Sequence, residues 1–175
     1  MALDHLFTTE PLRAIFSDAR RMQGMLDFEA ALARAEARVG MLPPETAEAI
    51  VAHCHAERFN LETLVWATAK AGNPAIPLIA ALTEQVAADN PEAARYVHWG
   101  ATSQDAMDTG LVLQLRDALD ALDADLARLS RACAALAESS AETPIAGRTW
   151  LQQASPTTFG LKVAGWLSAI NRHRQ

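Results

Sequence analysis

The apolar residues of this chain recur at helical spacing in block after block, and strand-type alternation is absent. From Asp18 to Val39 they follow the three-and-four step of a helix face, with Ser17 placed as N-cap and Gly40 as the stop. Pro43-Pro44 opens a short helix reaching about His55, with Pro44 near its first position. Asn60 caps a third helix, Leu61 to Ala71, closed by Gly72, and Gly72-Asn73-Pro74 reads as a turn. Pro77 to Ala88 predicts a fourth, ended by Asp89-Asn90-Pro91, and Glu92 to Val97 a further turn or two. This part reads as a compact cluster of short helices.

The pattern changes beyond Thr102. Leu115, Leu119, Leu122, Leu126, Leu129, Cys133 and Leu136 are separated by steps of 4, 3, 4, 3, 4 and 3, a heptad seam. With its lead-in from Ser103 this helix runs about 36 residues, or roughly 54 Å at 1.5 Å per residue. A second seam, Phe159, Val163, Trp166, Ile170 and His173, steps in the same way. Two such helices predict the nearly parallel or antiparallel packing of a bundle. The expectation is therefore an all-α protein, with an N-terminal helical domain over 1–102 and the first long helices of a central bundle over 103–175. The second seam is still in phase at His173 and no Gly, Asn or Pro closes it, which reads as a bundle cut within a helix. Between the seams, Ser139 to Ser155 has no clear period. Structureless connections of that length are uncommon in compact domains and tend to be functional.

Composition narrows the function classes. Alanine, the strongest helix former, makes up roughly a fifth of the chain. Among 175 residues, 15 Lys+Arg against 21 Asp+Glu leave a net charge of −6, which argues against a nucleic-acid partner. No apolar run approaches the length of a membrane span. Met1-Ala2-Leu3-Asp4-His5 lacks the basic patch and apolar run of a signal peptide. Cys54 and Cys133 lie far apart in helical patterns and read as buried free thiols of a reducing cytoplasm. His53 and His55, two apart on a helix, point about 200° away from each other and cannot clasp one metal ion.

Two stretches carry candidate chemistry. Val97-His98-Trp99-Gly100-Ala101-Thr102-Ser103-Gln104-Asp105 gathers hydroxyls, an amide and an imidazole just ahead of the long helix, whose first N–H groups favour an anion. The same residues serve as well for plain N-capping, with Ser103 as the cap. His98 is a candidate acid/base group or anion donor, and equally a packing residue beside Trp99. Ser155-Pro156-Thr157-Thr158 repeats the pattern of cap, Pro and hydroxyls. Arg148, in the aperiodic segment, suits either a bidentate carboxylate contact or a surface ion pair.

These stretches resemble the fumarase/aspartase superfamily. The segment from His98 to Asp105 with Asp108-Thr109 resembles its first signature region, and Gly147 to Thr158 its second. Ile15-Phe16-Ser17-Asp18 and Phe28-Glu29-Ala30-Ala31-Leu32-Ala33-Arg34-Ala35 are similar to the first long helix of its adenylosuccinate lyase-like branch. That branch usually carries histidine, in a Gly-Arg-Thr-His pattern, where this chain has Trp150, and tryptophan cannot transfer a proton. The resemblance therefore implies lactone closure, in which a substrate carboxylate adds across a conjugated double bond, within protocatechuate catabolism by the β-ketoadipate pathway. An adenylosuccinate or argininosuccinate lyase type of β-elimination is the alternative within the family. A non-catalytic helical module acting through self-association is the alternative outside it.

By the same resemblance, His98 and Thr149 are catalytic candidates, and Thr102, Ser103, Gln104, Arg148 and Gln152 bind a small polycarboxylate substrate. No metal or organic cofactor is implied, nor any nucleic-acid or membrane partner. A third signature, a flexible Gly-Ser-Ser loop bearing a catalytic serine, would lie beyond residue 175. Homotetramers with active sites assembled from three subunits are expected. Residues 1–175 alone should therefore show negligible turnover and should self-associate through their exposed seams. Turnover and sedimentation measured on one purified sample test this, and a monodisperse monomer with substantial turnover would contradict both halves.

Overall fold

The computed structural model describes residues 6–175. The pentapeptide on which the lack of a leader was read lies outside the described residues. In chain order the helices are α1 (Glu10–Ile15), α2 (Asp18–Arg38), α3 (Pro44–Val51), a 3-10 turn (Ala56–Arg58), α4 (Leu61–Ala71), α5 (Ala75–Asp89), α6 (Pro91–Ala94) and α7 (Ser103–Ser139). Two short strands, β1 (Pro144–Thr149) and β2 (Gln152–Thr158), follow, and then α8 (Phe159–His173). The helical class stands, with an antiparallel hairpin added among the described residues that begins in the aperiodic segment and runs on to Thr158. Two compact units emerge, one ending at Ala118 and the other comprising Leu119–Gln175.

Local signals set most helix ends. The Ser17 hydroxyl accepts the Arg20 N–H, and the Asn60 carbonyl oxygen accepts that of Thr63, so both are side-chain caps. Gly40 and Gly72 take φ of 77° and 66°, the left-handed stop that glycine reaches without steric cost. α3 ends at Val51, short of His55, and α5 begins at Ala75, two residues ahead of Pro77. There the Asn73 side chain accepts the Ala75 N–H at 2.9 Å and starts the helix early.

The core of the first unit is built on α2, whose Met22, Met25, Leu26, Ala30 and Ala33 are buried with Ile50, Leu64, Leu78, Leu82 and Val86. α2 and the start of α7 meet at glycines. A Cβ placed on Gly24 would lie 2.9 Å from the Gly110 Cα, and one on Gly110 would lie 3.1 Å from the Met25 nitrogen. The helices run in opposite directions, as polar contacts on one side of this crossing show. Arg20 Nη2 donates to Asp117 Oδ2 at 2.8 Å, and the buried Gln114 amide donates to the Ile15 carbonyl at 2.7 Å. Hydrogen bonds from Arg20 and Arg116 hold the Asp117 carboxyl below the usual carboxylate range.

In the second unit, α8 returns antiparallel along the end of α7. Ser130 bonds Asn171 at 2.8 Å, and Arg174 Nε donates to Asp123 Oδ1 at 2.7 Å. Val163 and Cys133 are buried. Leu115, Leu119, Leu122, Leu129 and Leu136 of the first seam are exposed, and Leu119 reaches 65%.

The hairpin pairs Thr149 with Gln152 and Ala146 with Pro156, with an irregularity between Ala146 and Arg148. There the Gly147 backbone comes so close to the Ser155 carbonyl that a Cβ would sit 2.5 Å from its oxygen. Both strands are largely exposed, so the segment has no buried face to write an alternating pattern into the sequence. Its two-residue tip is Trp150-Leu151, with φ of 48° and 61°. A turn with both central residues left-handed ordinarily takes Asn-Gly, because bulky side chains are strained there. Both tip side chains are also exposed, at 93% and 110%.

Two stability outcomes follow from these contacts. Gly24→Ala should lower the melting temperature, because overpacking costs about 1–3 kcal/mol and outweighs a helix-propensity gain of about 1 kcal/mol. Gly165→Ala in α8, where a Cβ meets nothing within 4 Å, should instead raise it. Replacing Trp150-Leu151 by Asn-Gly should stabilise the second unit by about 1 kcal/mol or more, read by denaturant titration, by relieving two strained residues.

Candidate functional site

The first group of candidates surrounds the start of α7. The chain leaves α6, makes a turn in which Tyr96 and Trp99 meet edge to face with centroids 5.2 Å apart, and passes through two left-handed residues. These are His98, at φ 59°, and Gly100, at φ 72°. α7 then begins at Ser103, so Thr102 stands in the cap position one residue ahead of the cap read from the sequence. The cap contact runs backwards: the Asp105 carboxylate accepts the Thr102 N–H at 2.9 Å. This leaves the Ser103 hydroxyl free to accept from the Asn73 amide at 3.0 Å, which ties the helix start to the head of α5. Gln104 donates to Asp108 at 2.6 Å one turn along. A groove of about 280 Å³ runs beside these two residues, with Arg21, Met25 and Pro74 on its other wall.

His98 is anchored from below. Its Nδ1 lies 2.7 Å from Oε1 of Glu29, a residue only 2% exposed on the core face of α2. Burial raises the Glu29 pKa, and the adjacent imidazole works against that rise. Glu36, two turns further along the same face, is likewise raised by burial. Nearby Cys54 is buried and its thiol is pushed up to about 12, chiefly by desolvation, so it stays protonated and unreactive. His53 faces Asp89 at 3.2 Å, and among the described residues no group of His, Cys, Asp and Glu is placed to hold a metal ion. No helix is long and apolar enough to cross a membrane among the described residues.

The second group lies on the hairpin. Arg148 and Thr149 end β1 and Gln152 begins β2, so the two-residue turn brings Thr149 and Gln152 directly opposite each other. Arg148, Thr149, Trp150 and Gln152 line one concave surface. The repeated capping motif resolves differently from the sequence reading. Ser155, Pro156 and Thr157 lie in β2, and Thr158 is the cap of α8, its hydroxyl accepting the Leu161 N–H at 3.2 Å. The Phe159 and Gly160 N–H groups are taken by the Thr143 and Ser140 carbonyls. The first turn of α8 therefore offers few free donors to an anion, unlike that of α7.

His98, Thr102, Ser103 and Gln104 thus belong to the first unit, and Arg148, Thr149 and Gln152 to the second. Three residues of the first group escaped the sequence reading. Asn73 was hidden in a turn, and Arg21 on the outer side of α2 resembles any solvated arginine. Glu29 did leave a signal, since an acid at that position interrupts an otherwise apolar stripe from Met22 to Ala33.

Known proteins match this arrangement along nearly its whole length. The chain is 59% identical over 172 residues to a 3-carboxy-cis,cis-muconate cycloisomerase of Pseudomonas putida, covering 98% of this chain and 41% of that protein. It is 60% identical over 172 residues to the enzyme of the same name from Pseudomonas aeruginosa, covering 98% and 38%. The crystal structure of the 3-carboxy-cis,cis-muconate lactonizing enzyme from Pseudomonas putida superposes with a TM-score of 0.95 at 58% identity, over 99% of this chain and 40% of that one. The chain thus spans about two fifths of the length of these relatives. A family model described as lyase matches residues 6–175, and the chain belongs to that lyase family.

Proposed function

We propose that this chain forms the N-terminal part of a 3-carboxy-cis,cis-muconate cycloisomerase, acting in protocatechuate catabolism by the β-ketoadipate pathway. Its likeness to the two Pseudomonas cycloisomerases carries the reading. In this reaction a substrate carboxylate adds across a conjugated double bond and closes a γ-lactone, while the carbon beside another carboxylate is protonated. Negative charge gathers on that second carboxylate as the ring closes, so donors fixed in advance lower the barrier.

On this reading Thr102, Ser103 and Gln104 hold a carboxylate at the start of α7, where helix N–H groups and hydroxyls converge. Thr149 and Gln152 hold another part of the substrate from the hairpin, with Arg148 as a further carboxylate partner. His98 is the acid/base candidate of this stretch. Trp150 supports lactonisation over amine release, because it cannot serve as a proton carrier. The exposed seam leucines support assembly into a homotetramer, with the sites completed by other subunits and by chain beyond this stretch.

A hybrid enzyme tests the proposal. Residues 6–175 are placed in the matching part of the Pseudomonas putida cycloisomerase, and lactone formation from 3-carboxymuconate is followed. The hybrid should turn over, and Thr102→Ala or Gln152→Ala should each lower kcat/KM by about 10²-fold or more. A folded hybrid that forms no lactone yet cleaves a succinylated amine would replace this reading with the β-elimination alternative. Unchanged turnover in both variants would reduce the two motifs to capping and packing.

A further inference from the structure

Glu29 is an expensive residue for the centre of a helix face. It is 2% exposed, in a stripe shared with Leu26, Ala30 and Ala33. Only one of its carboxylate oxygens has a partner, the His98 ring nitrogen at 2.7 Å, while Oε2 is buried without one. For stability alone an apolar side chain would serve better there, because a buried charge must recover its lost hydration from its partners. The partner is also held at some cost. His98 reaches Glu29 across 69 residues of sequence from a backbone at φ 59°, a conformation uncommon for a non-glycine residue. The Phe28 ring meets the imidazole edge to face, with centroids 6.5 Å apart. The other ring nitrogen, Nε2, bonds no described residue and is not among the sealed polar atoms. The imidazole is thus gripped at Nδ1 and open at Nε2, four residues ahead of Thr102.

We propose that Glu29 is a positioning residue for His98: its carboxylate accepts the Nδ1–H, so the neutral ring keeps its proton on Nδ1 and presents an unprotonated Nε2 outward. Nε2 is then the atom that gives and takes a proton, and the ring cannot swing or exchange tautomers. This rests on the acid/base reading of His98 given above. The strained loop and the half-satisfied carboxylate are the structural cost of that orientation.

Two measurements separate the positioning claim from that reading. On the chain itself, nitrogen-15 correlation spectra of the His98 ring should show the neutral form protonated at Nδ1. A neutral ring protonated at Nε2 would mean that Glu29 donates rather than accepts, and would overturn the proposal without any variant. In the hybrid enzyme, Glu29→Leu should fold with an undiminished melting temperature, lose the single tautomer, and lower kcat by about 10²-fold with KM little changed. Should leucine fail to fold there, Glu29→Met keeps the length, removes the acceptor and is read in the same way. Unchanged kcat in the Glu29 variant, with His98→Asn inactive, would overturn the positioning role alone. Unchanged kcat in His98→Asn would overturn the acid/base reading itself.

Discussion

The first unit depends on how closely α2 and α7 can approach. Gly24 and Gly110 bring the two backbones nearly into contact, and a Cβ on either would press against the other helix. Polar contacts flank that crossing on both sides. On one side of it Arg20 reaches Asp117 and Gln114 reaches the Ile15 carbonyl, which holds the pair in register. On the other, α2 presents Glu29 to His98, and Arg21 faces Gln104 across the groove.

That dependence explains why polar residues sit where apolar ones would pack more easily. Glu29, Glu36 and Gln114 are all buried, and each has an oxygen without a partner. Burial raises the pKa of both acids, so their protonation becomes easier in the folded state than in the unfolded one. The linkage has a definite sign: their cost is greatest above the folded pKa and is relieved as pH falls toward the unfolded value of 4.5. Asp117 and Asp123, lowered by arginine hydrogen bonds, act the other way, and their contribution is lost as acid protonates them. The hairpin of the second unit carries a different kind of strain, in the backbone of Trp150 and Leu151, whose exposed apolar side chains gain nothing within this unit.

The helices were legible in the chain because each helix face writes a three-and-four period and each end leaves a local mark. Ser17, Asn60, Gly40 and Gly72 act on their immediate neighbours, so their roles can be read without knowing what lies across the fold. The family was legible for a related reason, since its signature regions are continuous segments. The strands were not, because β1 and β2 are exposed on both faces and no burial imposes alternation on them. Ser155 looked like a helix cap because it has the right residue type before a proline. Pairing with β1 keeps that segment extended and passes the cap to Thr158.

Sequence alone thus determined the helical class, the long α7, the family and the two segments rich in donors, all of which depend on residues near one another along the chain. Tertiary structure decided which of those donors are occupied. The Ser140 and Thr143 carbonyls take the first donors of α8, while the Asn73 amide donates to the Ser103 hydroxyl, which keeps its own proton to give. It also decided that Glu29, an acid within an apolar helix stripe, lies under His98. Hydrogen bonds to distant segments are set by how closely backbones pack, and that spacing is a property of pairs of helices, which no single stretch of sequence encodes.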